Sequence, residues 1–482
     1  MRSALVRRAL AALLATALGA CAVGPNYRPP PTPPAAAGPF AATAAPASAT
    51  QPAPPDWWRL YDDATLDALI QEALTENADL KVAAANLLQA LGALQEARAG
   101  RFPTTLLQAG ETWGKSTSLT AALASAESNP HWAFDGTFSV AYQLDLFGQI
   151  RRTIEAAKAQ AAASAEAEDA VRITIVAETA KAYADACAFA EEVDVARSSA
   201  DVAQETLDLT RRQRDLGARS DFDVASAAAV FDQAKALIAP LEGQRRASLY
   251  ALAVLTGRPP ETIPTGAAAC RTPPRIDHPL PVGDGAALLR RRPDVREAEE
   301  TLAADTARIG VAVSELYPSV SLTGDVASAG ATFRQATSSR GISYQMGPFV
   351  TWTFPNILVA RARIVQARAQ ASGDIARFDS TVLQALKETE QALAAYGGAL
   401  ESHADLLANR DDNQRAFDLA KVQLTQGAIS LPDLLQTQRN LIVAKLQLAQ
   451  SDQTLADDQV AVFQALGGGW ENAPPVQPPK SP

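Results

Sequence analysis

Residues 134–146 read FDGTFSVAYQLDL, with apolar and polar side chains in alternation. Phe134, Phe138, Val140, Tyr142, Leu144 and Leu146 fall on one side of an extended chain; Asp135, Thr137, Ser139, Gln143 and Asp145 fall on the other. Successive side chains of a strand point to opposite faces, so this period of two predicts a β-strand with one apolar side. Residues 342–354 repeat it, with Ile342, Tyr344, Met346, Val350, Trp352 and Phe354 against Ser343, Gln345, Thr351 and Thr353; Phe349 is the one large exception. Weaker alternation near 104–114 and 319–328 predicts a partner strand before each. The two clear strands are about twice the length common in soluble sheets and long enough to cross a membrane when tilted. An amphipathic sheet packed under helices in a soluble protein is the competing reading, but no apolar helix pattern obviously belongs over that face.

After each second strand the period changes. Residues 149–216 contain neither Gly nor Pro, which predicts one continuous helix. At ~1.5 Å per residue it would reach roughly 100 Å. Its counterpart, 357–426, lacks Pro but carries Gly373, Gly397 and Gly398, so a local bend is expected there. Ala dominates both runs, with Val171, Ile173, Ile175, Val176 and Leu207 interspersed. Small residues on more than one flank suit a helix with neighbours on both sides, as in a cylinder of helices.

Both helical runs end on the same phrase, Gly-Ala-x-Ser-x-x-Asp: GARSDFD from Gly217 and GAISLPD from Gly427. Gly ends a helix in the left-handed conformation, Ser caps the next one, and Asp three residues later completes a capping box. Pro432 falls in the first turn, where a missing N–H does no harm. The tips are therefore placed at 217–220 and 427–430, followed by helices over 221–256 and 431–466. Other segments also pair up: 76–87 with 291–302, 101–110 with 316–325, and 233–236 with 443–446. The chain is an internal duplication, with repeat 1 at 56–257 and repeat 2 at 285–467. A connector at 258–284 with seven prolines separates them.

Four strands cannot close on themselves. Unpaired backbone groups in lipid cost several kcal/mol each, and the smallest membrane barrels have about eight strands. The chain must assemble, two copies giving eight strands and three giving twelve.

The termini add an address. Arg2, Arg7 and Arg8 precede the apolar run ALAALLATALGA, an export signal over 1–20 too short to span a bilayer. LGAC then ends at Cys21 and resembles the lipobox of bacterial lipoproteins, where the cysteine is lipidated; an ordinary signal with an incidental cysteine is the alternative, and Ala22 rather than Asp follows. Residues 21–55 hold eleven prolines from position 25 onward and read as an extended tether; 468–482 reads as a disordered tail.

Composition narrows the chemistry. The net charge of −10 makes nucleic acid an unsuitable partner. His131, His278 and His403 are scattered, and Met1 and Met346 are the only methionines, so no metal site assembles. No phosphate-binding loop, Gly-x-Ser-x-Gly or His-Glu-x-x-His is present, so no catalytic residue and no cofactor is expected. Cys187 and Cys270 are equally consistent with a disulfide and with two thiols.

LGACAVGPNYRPP at 18–30, DWWRLYDDATLDALIQEAL at 56–74, RRPDVREAE at 291–299 and the paired turns together resemble the TolC/OprM family, the outer-membrane ducts of tripartite efflux pumps and type I secretion systems. The lipobox and VGPNYRPP resemble the lipoprotein branch around OprM. The resemblance implies an α+β membrane protein: a homotrimer whose twelve-stranded β-barrel, four strands per chain, continues into a long periplasmic α-helical barrel. It further implies lipidation at Cys21 in the outer membrane, a periplasmic adaptor (membrane fusion) protein, and an inner-membrane RND-type transporter. Carried over by position, Gly217, Ser220, Gly427 and Ser430 mark adaptor-contact tips, and Asp223 and Asp433 mark a periplasmic gate. Gln436 stands where some relatives place a second acidic ring, and Arg219 is a candidate ion-pair partner for Asp223. The function expected is passive conduction of substrates delivered by the pump. A pore-less lipid-anchored scaffold and a type I protein-secretion duct are the alternatives.

Overall fold

Each alternating segment is a strand in the computed structural model, which describes residues 22–31, 37–41, 47–48, 51–115, 130–354 and 357–476. The chain forms two compact units. The first takes its described residues from 22–30, 88–163 and 298–378, the second from the remainder.

The first unit is built on a four-stranded antiparallel sheet. Its strands are β1 (Thr104–Gly114), β2 (His131–Leu144), β3 (Ser319–Gly330) and β4 (Ile342–Thr351), in the spatial order β1-β2-β3-β4. The register sets Leu107 opposite Phe138, Phe138 opposite Val326, and Val326 opposite Tyr344. One face therefore carries Leu107, Trp113, Trp132, Phe134, Phe138, Val140, Tyr142, Leu322, Val326, Tyr344, Met346 and Val350. The other carries Gln108, Thr112, Asp135, Thr137, Ser139, Ser321, Thr323, Asp325, Ser343 and Gln345. A slip of one residue in any strand would exchange these faces, so the pattern pins the register.

Two helices, each only in part within this unit, lead into and out of the sheet. Helix α2 (Ala78–Ala99) precedes β1, and the long helix α3 (Gln149–Asp215) follows β2. The start of α3 is capped by Asp145, whose carboxylate accepts from Ile150 N–H at 3.0 Å and Arg151 N–H at 2.9 Å. In this unit α3 packs on α2 through Ile154, Ala161, Ile150 and Ala157 against Leu94, Ala90 and Ala97. The amino-terminal segment is docked beside it. Arg152, only 3% exposed, donates to the carbonyl of Val23 at 3.2 Å and to Asn26 Oδ1 at 2.7 Å, and pairs with Glu155 at 2.7 Å. Gly24 (φ +90°) lies so close to Gly310 that a Cβ on Gly24 would sit 2.5 Å from the Gly310 Cα. Only glycine fits both demands.

The second unit has a mixed core. Trp57 stacks on Phe463 at 4.9 Å, and Trp58 donates to Asp67 at 2.8 Å. Leu66, Ile70 and Leu74 of α1 (Ala64–Glu76) are buried with them. Three expectations are corrected here. The tether of 21–55 is not free throughout: Phe40 and Ala53 join the core, and Ala47–Ser48 pair in parallel with Leu280–Pro281. Residues 468–476 are not a disordered tail: Glu471 pairs with Arg291, Trp470 lies against the Arg296 guanidinium, and Ala473 and Val476 pack on the core. The many prolines around these few apolar anchors conceal them. Finally, 221–256 is not one helix but α4 (Asp221–Ala236) and α5 (Ile238–Leu255), because Pro240 lacks the N–H that a continuous ladder needs.

The connector is held covalently, since Cys187 of α3 and Cys270 form a disulfide. Beyond it come α6 (Gly285–Arg291), α7 (Pro293–Ser314), the long α8 (Ile357–Thr425) and α9 (Leu431–Ala465).

Candidate functional site

The two repeated phrases build two nearly identical turns. Gly217 and Gly427 have φ of +77° and +72°, as a left-handed helix end requires. The Ala218 N–H reaches back to the Gln213 carbonyl at 2.8 Å, and the Ala428 N–H to the Gln423 carbonyl at 2.9 Å. Ser220 and Ser430 then open α4 and α9 with capping boxes. The Ser220 N–H donates to Asp223 Oδ2 at 3.0 Å while the Asp223 N–H donates to Ser220 Oγ at 3.2 Å; the Ser430 N–H donates to Asp433 Oδ2 at 3.0 Å.

These bonds set the charge of the tips. Hydrogen bonds from the Ser220 backbone and hydroxyl, with a smaller contribution from Arg219, hold the Asp223 carboxyl below its usual range. The Ser430 hydroxyl and backbone do the same for Asp433, which is fully exposed. Both are anionic at neutral pH, and their capping bonds are lost only as pH falls below the ordinary carboxylate range. The direct Arg219–Asp223 ion pair expected from sequence is absent among the described residues. Arg219 Nε donates instead to Gln213 Oε1 at 3.2 Å, and the Asp223 carboxylate takes its donors from Ser220. Gln436 bonds to Asn440 at 2.9 Å on the same helix.

Below the turns the two hairpins share one small core. Leu207 of α3, Val230 of α4, Phe417 of α8 and Leu431, Leu434 and Leu435 of α9 are buried together. The surface above it is apolar in part, with Leu216 and Phe222 largely exposed. The first turn carries Arg214, paired with Asp221 at 2.8 Å, and Arg211, paired with Asp208 at 3.3 Å. At the second, Lys421 lies over the Phe417 ring.

The sheet supplies a second functional feature. Aromatic residues gather at both of its ends: Trp113 with Trp132 (5.3 Å) and Phe134 with Phe333 at one, Phe147 with Tyr317 (4.5 Å) and Trp352 with Phe354 (5.1 Å) at the other. About ten residues of strand separate the two groups, roughly 34 Å at ~3.4 Å per residue. A tilt of about 40° reduces this to about 25 Å, the height of the apolar band of a membrane barrel. The opposite face is polar apart from Leu106 and Phe349, and Gln345 donates to Asp325 at 2.8 Å on it.

Sequence reasoning missed the Arg152 anchor. VGPNYRPP stands out as a phrase, but nothing in its spacing points to a buried arginine more than a hundred residues away. Cys21 lies outside the described residues.

The model of the family described as outer membrane efflux protein matches residues 69–258 and 286–468. The chain is 30% identical over 476 residues to nodulation protein T of Rhizobium leguminosarum bv. viciae, spanning 98% of this chain and 95% of that one. It is 29% identical to the toluene efflux pump outer membrane protein TtgC of Pseudomonas putida, over 95% of each chain. Among solved structures, the outer-membrane channel OprN superposes with a TM-score of 0.86 at 31% identity, covering 93% of this chain and all of that one.

Proposed function

This chain belongs to the outer membrane efflux protein family, and from that premise we propose that three copies enclose a gated duct through the outer membrane. The chain is the outer-membrane exit component of a tripartite efflux system, a conduit rather than an enzyme. Its partners in such a system are a periplasmic adaptor and an inner-membrane transporter, here of the RND type.

One observation carries the trimer. The four-stranded sheet has an apolar face of membrane height and ends at β1 and β4, with no further strand paired to either edge among the described residues. Those edges need partners in lipid. Eight strands from two copies would enclose a space that side chains fill, whereas twelve from three leave a water-filled lumen lined by the polar face. In the test, the purified protein is weighed by native mass spectrometry and reconstituted into planar bilayers. Trimers that conduct, with acyl chains on Cys21, are expected; a non-conducting monomer overturns the reading.

The gate is proposed at the tips. Carboxylates brought about 6 Å apart at an effective dielectric of ~20 repel by roughly 2–3 kcal/mol, so Asp223 and Asp433 make closure responsive to cations. Asp433→Ala is expected to raise leak conductance of the assembled trimer several-fold. Asp433→Asn, which keeps an acceptor for the Ser430 N–H, separates charge from capping. If both variants leak no more than the parent, Asp433 has no part in the gate.

A further inference from the structure

The start of α3 carries a charged row in which Arg151, Glu155 and Lys158 follow at intervals of four and three residues. Residues so spaced share one helix face. Glu155 is committed to Arg152, and Arg152 holds Val23 and Asn26. The row therefore borders the docked amino-terminal segment, which begins one residue after Cys21. A lipid chain on that cysteine enters the bilayer from outside a barrel, so this flank faces the membrane side and not the lumen.

The duplication repeats the row. With a shift of 210 residues, Arg151 becomes Arg361, Ile154 becomes Ile364, Lys158 becomes Arg368, and Ala161 becomes Ala371. Ile154, Ala161, Ile364 and Ala371 are all buried, while Arg151, Lys158, Arg361 and Arg368 are all exposed, so the two helices present the same face. In α8 the acid is gone. Val365 replaces it, and Leu358 precedes Arg361, giving an exposed Leu-Arg-Val-Arg row with Leu358 at 72% and Val365 at 65% exposure. Arg363 lies off this row and pairs with Glu315 at 2.6 Å. Cations interleaved with exposed aliphatic side chains suit a membrane surface, where the stem lies on apolar groups and the charge reaches the headgroups.

Height agrees with this. Arg151 and Arg361 lie within about ten residues of the ends of β2 and β4, beside the Phe147–Tyr317 and Trp352–Phe354 aromatic group. Lys158 and Arg368 follow about 10 Å further along their helices, within reach of a charged surface at physiological ionic strength. We propose that Arg151, Lys158, Arg361 and Arg368 form a cationic collar that binds the phosphate headgroups of anionic phospholipids in the periplasm-facing leaflet. In a chain of net charge −10 this collar offsets repulsion from that leaflet and fixes the depth of the barrel.

This inference rests on the reading of β1–β4 as a membrane wall and of Cys21 as the lipidated residue. Its test uses the full-length trimer, delipidated in detergent and offered equal phosphatidylglycerol and phosphatidylcholine, with retained lipid counted by native mass spectrometry. The parent is expected to prefer phosphatidylglycerol. The variant Lys158→Gln/Arg361→Gln/Arg368→Gln should lose that preference by on the order of fivefold for each charge removed. A control variant, Arg212→Gln/Lys421→Gln, should keep it. A triple variant that inserts, conducts and still prefers phosphatidylglycerol overturns the collar alone, as does an equal loss in the control. A parent that neither inserts nor conducts overturns the membrane wall instead.

Discussion

Replacing Cys187 and Cys270 together by Ala is expected to lower the apparent melting temperature of the assembled protein by on the order of 10 °C in buffer without reductant. The bond joins residues 83 positions apart, so its loss frees a large loop in the unfolded chain. In the chain-entropy account a loop of that size corresponds to about 4–5 kcal/mol. Each kcal/mol moves the midpoint of a mid-sized domain by about 2–4 °C. The loss is also local. Cys187 is buried beside Tyr183 and Ala186, and the connector behind Cys270 supplies Ile276, Leu280 and Val282 to the same core. Reductant in the presence of denaturant should bring the parent to the variant's behaviour and leave the variant unmoved. A variant that melts with the parent would mean that packing alone holds the connector.

That bond illustrates why parts of the fold are legible and others not. A disulfide depends on where two distant segments meet, and neither Cys187 nor Cys270 carries a local sign of the other. Alternation is a local sign. It makes β2 and β4 readable because each alternates an apolar face with a polar one. β1 and β3 alternate less cleanly, since Ala109, Gly110 and Gly324 contribute little to either face, and their register becomes clear only from their neighbours. The break at Leu237 escapes a reading of the sequence because an Ala-rich helical run hides one proline that sits comfortably in a first turn.

The tips are the most legible part of the site, because a capping box is written in four consecutive residues. Gly217, Ser220 and Asp223 need no tertiary information. Charge pairing does. Arg219 stands four residues from Asp223, yet its Nε donates to Gln213 while Ser220 donates to the carboxylate. The docked amino terminus is illegible for the same reason as the disulfide: Arg152 is an ordinary helical arginine until Val23 and Asn26 are laid over it.

Converting both tip glycines, Gly217→Arg and Gly427→Arg, is expected to abolish efflux while leaving assembly intact. The two positions have room: a Cβ on either would meet nothing within 4 Å. What a side chain costs there is the left-handed backbone, about 1–2 kcal/mol at each site. That is small against a fold held by the Trp57–Phe463 core and the Cys187–Cys270 bond. The new charges would instead stand on the exposed turns, the first of them beside Leu216 and Phe222, where the proposed adaptor contact would have to desolvate them. Cells carrying the double variant should be as sensitive to exported compounds as cells lacking the duct, and the purified trimer should conduct as before. Gly217→Asn with Gly427→Asn supplies the control, because asparagine tolerates the left-handed turn without adding charge. Resistance retained by the arginine variant would reduce both turns to helix ends with no partner.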